Sequence, residues 1–265
     1  MISIILPTFN GEKYIKRAIN SVISQTFSDW ELIIVNDGSI DNTEGIISEF
    51  LLKDKRVIYL FQNNQGPSAA RQKGIDNSKG EYLAFIDVDD MWIDKDKLKK
   101  QFKFLEDNPD YILVGTGVVN INDNNKEINR YFMPETDEGI RKKFLRINCF
   151  INSSILFRKI ALSNIKNSDS LLEDYDFCLQ LGLFGKMSNL KSYSVGYSFK
   201  FDGYGSKNKI KRLKENLFIS QKYKDRYPDY WKAFILGYIK IYTLPLFKLL
   251  PINIKGFFIK LHKKL

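Results

Sequence analysis

Residues 80–92 read GEYLAFIDVDDMW. An apolar run from Tyr82 to Ile86 carries the chain straight into three carboxylates, Asp87, Asp89 and Asp90, within four residues. A short apolar run bounded by turn residues is what a strand buried on both faces looks like. Unpaired carboxylates are not tolerated in such a layer, so the acids mark the end at which the strand leaves it. The fold follows from finding the same strand-then-polar-loop unit three more times upstream.

ISIIL (2–6) is the first such run, ended by Pro7. Residues 11–25 follow with Ile15, Ala18, Ile19, Val22 and Ile23 at helical spacing. ELIIVN (31–36) is a second strand, closed by DGS. A helix over 41–53 takes Asp41 or Asn42 as its N-cap. RVIYLF (56–61) is a third strand, and 67–78 a helix with Pro67 near its first position. EYLAFI (81–86) is the fourth. Four strands alternating with helices predict a parallel α/β sheet. Such sheets bind ligands beyond the C-terminal ends of their strands, and PTFN, NDGS, NNQG and DVDD all lie there.

Further on, 111–133 reads as two strands joined at NDNN (122–125) and 136–147 as a helix. CFINSSILF (149–157), a helix from LLEDYDFCLQLG (171–182) and a strand near 188–197 complete this part. From about 210 the pattern is basic and amphipathic, with breaks expected at Pro228, Pro245 and Pro251. The expected division is a 1–206 body, split near 110 into two halves (1–110 and 111–206), and a helical 207–265 appendage.

Charge supports that boundary. Residues 207–265 hold 15 Lys and Arg against three acids (Glu215, Asp225 and Asp229), a surplus of 12, whereas residues 1–206 hold 26 basic and 28 acidic side chains. A basic tail points to an anionic surface. In YWKAFILGYIKIYTLPLFKLLPINIKGFFIKLHKKL (230–265) lysines alternate with large apolar residues. That favours an interfacial helix pair on anionic lipid over a polar arm for nucleic acid; a helical subdomain packed on the body is the other reading. No apolar run is long enough to span a bilayer and the N-terminal run is too short for a signal peptide, which suggests a cytoplasmic protein held peripherally at the inner face of the membrane. Cys149 and Cys178 form no C-x-x-C and are expected as buried free thiols. The one histidine, His262, sits among lysines near the C-terminus, which disfavours His-based triads and zinc sites and leaves a carboxylate as the general base.

Each acidic motif has two readings. DVDD could cap a helix N-terminus or supply oxygen ligands to Mg2+ or Mn2+; its place beside three other polar strand-end loops favours the second. Glu173 and Asp174 could be helix-surface charge, the commoner case, or the required base. No G-x-G-x-x-G follows the first strand, and GLFGK (182–186) lacks the spacing of a Walker loop.

As a set, PTFNGEKYI (7–15), VNDGSIDNT (35–43), NNQGPSAARQKGI (63–75), GEYLAFIDVDDMW (80–92) and LLEDYDFCLQLG (171–182) resemble the family 2 inverting glycosyltransferases of GT-A fold, over roughly residues 1–200. The resemblance implies a mostly parallel central sheet flanked by helices. It places Pro7, Thr8, Asn10 and Glu12 at a base and ribose pocket and Asp37 on the base, uracil for a UDP-sugar. Gly66 and Arg71 would approach the nucleotide, and Asp87 the ribose or sugar. Asp89 would hold Mn2+ or Mg2+ across the diphosphate, and Asp90 and Trp92 would shape the sugar pocket. Asp174 would be the base, with Glu173 beside it. Relatives carry a Tyr-Arg and a His after this helix; here FKFDGYGSKN (199–208) has no histidine, and Lys200, Lys207 or Lys209 would stand for the arginine. SSILF (153–157) is expected near the acceptor. The implied activity is transfer of a sugar from a nucleotide donor to a hydroxyl of a surface or lipid-linked glycan. The alternatives are a non-catalytic scaffold of the same fold in a glycan assembly complex and, more distantly, a glycosidase with paired carboxylates.

Overall fold

The computed structural model describes residues 1–165, 173–199 and 209–249. Its first half is the expected alternation. Strands β1 (Ile2–Thr8), β2 (Trp30–Asn36), β3 (Val57–Phe61) and β4 (Tyr82–Phe85) alternate with helices α1 (Ile15–Ile23), α2 (Thr43–Leu51) and α3 (Pro67–Asp76). The strands lie parallel in the order β3-β2-β1-β4. β1 and β2 are buried along their whole length, which is why both read as continuous apolar runs rather than alternating ones.

β1 does not stop before Pro7. It runs on to Thr8, with Pro7 opposite Val35 of β2. Thr8 accepts from the Asp37 amide on the β2 side, and Ile5 accepts from the Ile86 amide on the other. Alternation then turns the position of the missing Pro7 amide toward β4, whose pairing with β1 ends at Ile5↔Phe85. No ladder bond needs that donor, so proline is tolerated.

The second half adds β5 (Met91–Trp92), α4 (Lys97–Asp107), β6 (Tyr111–Ile121), β7 (Glu127–Tyr131), α5 (Asp137–Phe144), β8 (Leu156–Arg158), α6 (Glu173–Leu181) and β9 (Lys186–Ser198). β8 joins β4 to β6 antiparallel to both, β9 lies parallel to β6, and β5 and β7 add antiparallel to β9 and β6. The sheet is therefore parallel from β3 to β4 and mixed beyond. The short β5, inside the acidic motif, is a pairing that two residues cannot signal on their own.

One core cluster fills the side of α1, α2 and α4. Another fills the side of α5 and α6 and includes Ile219, Tyr223, Tyr227 and Ala233 from two later helices, α7 (Lys209–Lys222) and α8 (Tyr230–Leu249), and the turn that joins them. Those helices are tied to the body by polar anchors. Buried Asp176 accepts from Lys222 Nζ (2.9 Å) and the Tyr223 hydroxyl (2.9 Å), Ser220 Oγ donates to the Leu145 carbonyl (2.7 Å), and the Tyr227 hydroxyl donates to the Leu179 carbonyl (2.6 Å). The basic region thus begins as a packed helical brace. The expected break at Pro228 falls between α7 and α8. The one at Pro245 does not occur, since α8 continues to Leu249: a single missing amide bends a helix more readily than it ends one. Pro251 lies outside the described residues. Cys149 and Cys178 are buried and free, and burial pushes both thiols above their usual range. Lys97 is also fully buried: its Nζ donates to Gln101 Oε1 (2.8 Å) and lies 4.2 Å from the Trp92 ring centre, and burial pulls the amine down to about 7.

Candidate active site

Because β1 to β4 are parallel, the four polar loops leave the sheet at one edge, and the first three bond to one another there. Asn10, in a left-handed conformation (φ 49°), donates its amide to Ser39 Oγ (2.9 Å) and accepts the Ile40 amide on Oδ1 (3.0 Å). The Glu12 amide donates to Asp41 Oδ2 (3.0 Å), and the Glu12 carboxylate accepts the Asn42 amide (3.2 Å). The Thr8 hydroxyl is buried and has no hydrogen-bond partner among the described residues. Pro7, Thr8, Asn10 and Glu12 are therefore assembled with the NDGS loop into one rim.

Asp37 organises the neighbouring loop. It is 3 % exposed and accepts from Gln62 Nε2 (2.7 Å), the Gln65 amide (2.9 Å) and the Gly66 amide (2.9 Å). A carboxylate offers about four lone-pair sites, so two of them hold the NNQG segment and a third holds Gln62 just before it. Gly66 meets Asp37 at φ +90°, in the region that disfavours a Cβ, and opens α3.

DVDD forms a tight turn, with the Asp90 amide donating to the Asp87 carbonyl (2.9 Å). Its three acids separate into different surroundings. Asp87 and Asp89 are half-buried and Asp90 is 1 % exposed. Asp90 accepts from Ser153 Oγ (2.5 Å) and the Ser198 amide (2.9 Å). Burial, reinforced by the charges of Asp87 and Asp89, pushes its carboxyl well above the ordinary range. Trp92 is buried too, its Nε1 donating to the Ser153 carbonyl (2.8 Å). Asp90 and Trp92 thus lie beneath the turn and fix its position against 152–154.

Arg71, on α3, joins the two halves. Its guanidinium donates to Asp87 Oδ1 (2.9 Å) at the end of β4 and pairs with Glu173 at the start of α6. Asn152 Nδ2 also donates to Asp87 Oδ1 (3.0 Å). Beside this bridge lies a cleft with a polar mouth (Arg71, Asn152, Glu173 and Asp174) and an apolar floor that includes Phe85 and Phe177. Burial raises the Asp174 carboxyl, with the Arg71 charge opposing; Glu173 is shifted the same way for the same reasons. A half-buried carboxylate whose pKa is raised above its ordinary value, beside a fixed cation, is a stronger proton acceptor than an exposed one.

Among the described residues no three His, Cys, Asp or Glu converge as a cation cage. The donors on offer are the half-buried carboxylates Asp87 and Asp89, whose charges add to burial in raising Asp90. Hard oxygen donors in this number fit Mg2+ or Mn2+, which take one or two carboxylates and complete their shell with phosphate and water. Lys200 and Lys207 lie outside the described residues, and Lys209 is exposed on the first turn of α7. Sequence reading left Asn152, Ser153, Ser198 and Arg17 without roles; each reaches the acidic turn only through tertiary contacts, with no local pattern to give it away.

The chain matches the family described as Glycosyl transferase family 2 over residues 3–166. It is 31% identical to an uncharacterized glycosyltransferase of Methanocaldococcus jannaschii, covering 93% of this chain and 90% of the relative. It is 40% identical to the glycosyltransferase GlyA of Streptococcus pneumoniae over 43% of this chain, which spans 16% of that larger protein. In fold it is similar to S. aureus TarS in complex with UDP-GlcNAc (TM-score 0.65, 20% identity, 83% of this chain and 66% of that one). It is also similar to the mannosyltransferase PcManGT of Pyrobaculum calidifontis in complex with GDP-Man and Mn2+ (TM-score 0.66, 14% identity, 91% of this chain and 69% of that one).

Proposed function

The chain belongs to glycosyl transferase family 2, and we propose that it is a metal-dependent inverting enzyme that moves a sugar from a UDP-linked donor to a hydroxyl of a surface glycan or its lipid carrier. The observation that carries this reading is the Arg71 bridge between Asp87 and Glu173, which sets the end of β4 and the start of α6 on one cleft with Asp174 in its wall.

In this reading the β1–α1 and β2–α2 loops hold the nucleotide, with Asp37 shaping the base pocket through the NNQG segment it orders. The unpartnered Thr8 hydroxyl at that rim suits a site completed by ligand. Asp89 would hold the cation, which when bound offsets charge developing on the leaving diphosphate, and Asp87 would meet the ribose or sugar. Asp174 accepts the proton of the acceptor hydroxyl as its oxygen attacks the anomeric carbon from the face opposite the leaving group. One displacement inverts that centre. Glu173, held by Arg71, flanks the base on the acceptor side, and Asp90 and Trp92 support the sugar side from below. The test is a thermal-shift series with UDP, GDP, dTDP and CDP, with and without Mn2+. UDP with Mn2+ is expected to raise the melting temperature, and Asp89→Asn to remove the metal-dependent part, because only a ligand of the folded state shifts it. No shift with any nucleotide would return DVDD to the status of an acidic cap.

We take residues 1–206 as the catalytic part and the helices beyond as its brace and membrane contact. Among the described residues no helix is long and apolar enough to cross a membrane. On α8, Trp231, Ile235, Tyr238, Ile239 and Tyr242 recur at helical spacing and stay exposed. Aromatics on such a face, within a region of net positive charge, suit an anionic bilayer surface, which supports the reading of a peripheral enzyme at the cytoplasmic face of the membrane. Flotation with vesicles containing phosphatidylglycerol should carry the protein, and the pair Trp231→Ser and Tyr242→Ser should leave it behind. Equal flotation on purely zwitterionic vesicles, or none on either, would remove the charge argument.

A further inference from the structure

Beneath the acidic turn sits a cation that the reading above leaves without a task. Arg17, half-buried on α1, directs one nitrogen to the backbone carbonyl of Asp89 and to Ser198 Oγ, the latter at 2.7 Å. Its other terminal nitrogen reaches Asn125 Oδ1, in the turn between β6 and β7. Ser198, the last residue of β9, donates its hydroxyl to the same Asp89 carbonyl and its amide to Asp90 Oδ1 (2.9 Å). The same hairpin turn is held to α1 a second time, by Lys13 Nζ and the Tyr14 hydroxyl on Asp123 (3.2 and 3.4 Å).

We propose that Arg17 is a positioning residue for Asp89, clasping the acidic turn, the exit of β9 and the β6–β7 hairpin into one unit so that the Asp89 carboxylate is presented in a fixed direction. The proposal rests on the reading of Asp89 as a cation ligand. The geometry supplies the reason. The peptide before Asp90 is held on its oxygen by Arg17 and Ser198 and on its nitrogen by the turn to the Asp87 carbonyl, while the Asp90 carboxylate is held by Ser153 and Ser198. With the backbone clamped on both sides, the direction in which Asp89 leaves the turn is fixed, and the entropy of aligning it is met during folding rather than on binding. Planar guanidinium geometry is what lets one side chain reach two elements at fixed angles; a lysine presents a single point charge.

The test is binding of Mn2+ in the presence of saturating UDP, followed by the electron paramagnetic resonance signal of unbound Mn2+, alongside the melting temperature of ligand-free protein. Arg17→Gln should weaken Mn2+ binding roughly ten- to a hundredfold, the range for residues that orient a metal ligand. Arg17→Lys should fail to restore it, and Ser198→Ala should weaken it in the same direction. If Arg17→Gln does not fold, Ser198→Ala carries the test, since it removes one of the two donors to the Asp89 carbonyl and leaves the arginine. Asp89→Asn separates the two ideas. If Asp89→Asn loses Mn2+ while Arg17→Gln and Ser198→Ala keep wild-type affinity, Arg17 is only structural and the proposal is overturned. A lowered melting temperature with unchanged Mn2+ affinity overturns it as well. If Asp89→Asn binds Mn2+ like the wild type, the cation reading itself has failed and takes the role of Arg17 with it.

Discussion

Asp174→Asn is expected to reduce turnover roughly a thousandfold while leaving the nucleotide-dependent thermal shift intact. General-base catalysis contributes about two to four powers of ten, and asparagine keeps the shape of aspartate without its basicity. The substitution is mild for the fold. Asp174 is a carboxylate whose charged form is disfavoured by burial, and its donors, the Tyr175 amide and Asn148 Nδ2 at 3.4 Å, can both be met by the amide oxygen. The pH profile gives an independent check. Burial raises Asp174, and the nearby Arg71 charge only partly offsets this. A base must be deprotonated, so activity should be lost as pH falls through that raised value, giving an acid limb above the 3.8 of an unperturbed aspartate. The Asn variant should lack this limb in its residual rate. Turnover within tenfold of wild type would rule Asp174 out as the base.

Removing Arg71 should have the largest effect on stability. Its side chain is 17% exposed and pairs with Asp87 (28%) and Glu173 (24%). Taking one member from a buried charge cluster leaves the others uncompensated, at a cost of roughly 3–5 kcal/mol; partial exposure of the acids points to the lower end. For a chain of this size that is a drop of about 10 °C in melting temperature. Arg71→Met keeps most of the packing and isolates the charge. The deficit should also depend on pH. Burial already raises Glu173 and Asp174, with Arg71 as the main opposing influence. Without it their folded-state values climb further above the unfolded ones. A carboxyl raised on folding binds more protons in the native state, so its contribution is full at acid pH and is lost as pH rises through the folded value. The variant should therefore lie closest to wild type near pH 5 and furthest from it at pH 8, and adding Glu173→Gln should recover part of the difference. A deficit independent of pH would mean that Arg71 matters for packing rather than charge. In an enzyme assay the same variant should shift the acid limb of Asp174 to higher pH.

The two predictions concern one bridge, and the bridge shows where sequence reading stops. The strand-helix alternation of residues 2–86 was legible because buried parallel strands must be apolar along their length and their loops polar. Convergence of PTFN, NDGS, NNQG and DVDD followed from topology, since parallel strands put all their C-terminal ends on one edge. The expectation that Asp89 and Asp174 serve one site came only from the family resemblance, as 85 positions separate them.

What the sequence determined by itself was therefore the parallel half, the site's edge and the acid chemistry, all set by local periodicity and residue type. Tertiary structure alone decided what each acid faces. Asp37 turns to its neighbouring loop, Asp90 is buried on Ser153 and Ser198, and Asp174 is raised by burial and restrained by Arg71. It also decided that the basic C-terminal region begins as helices packed through Tyr223 and Tyr227 while α8 keeps an exposed aromatic face. The physical reason is the same in each case. A carboxylate's protonation and direction depend on burial and on donors brought from other elements, and a helix's two apolar faces differ only in what covers them. Neither is written in the spacing of residues along the chain.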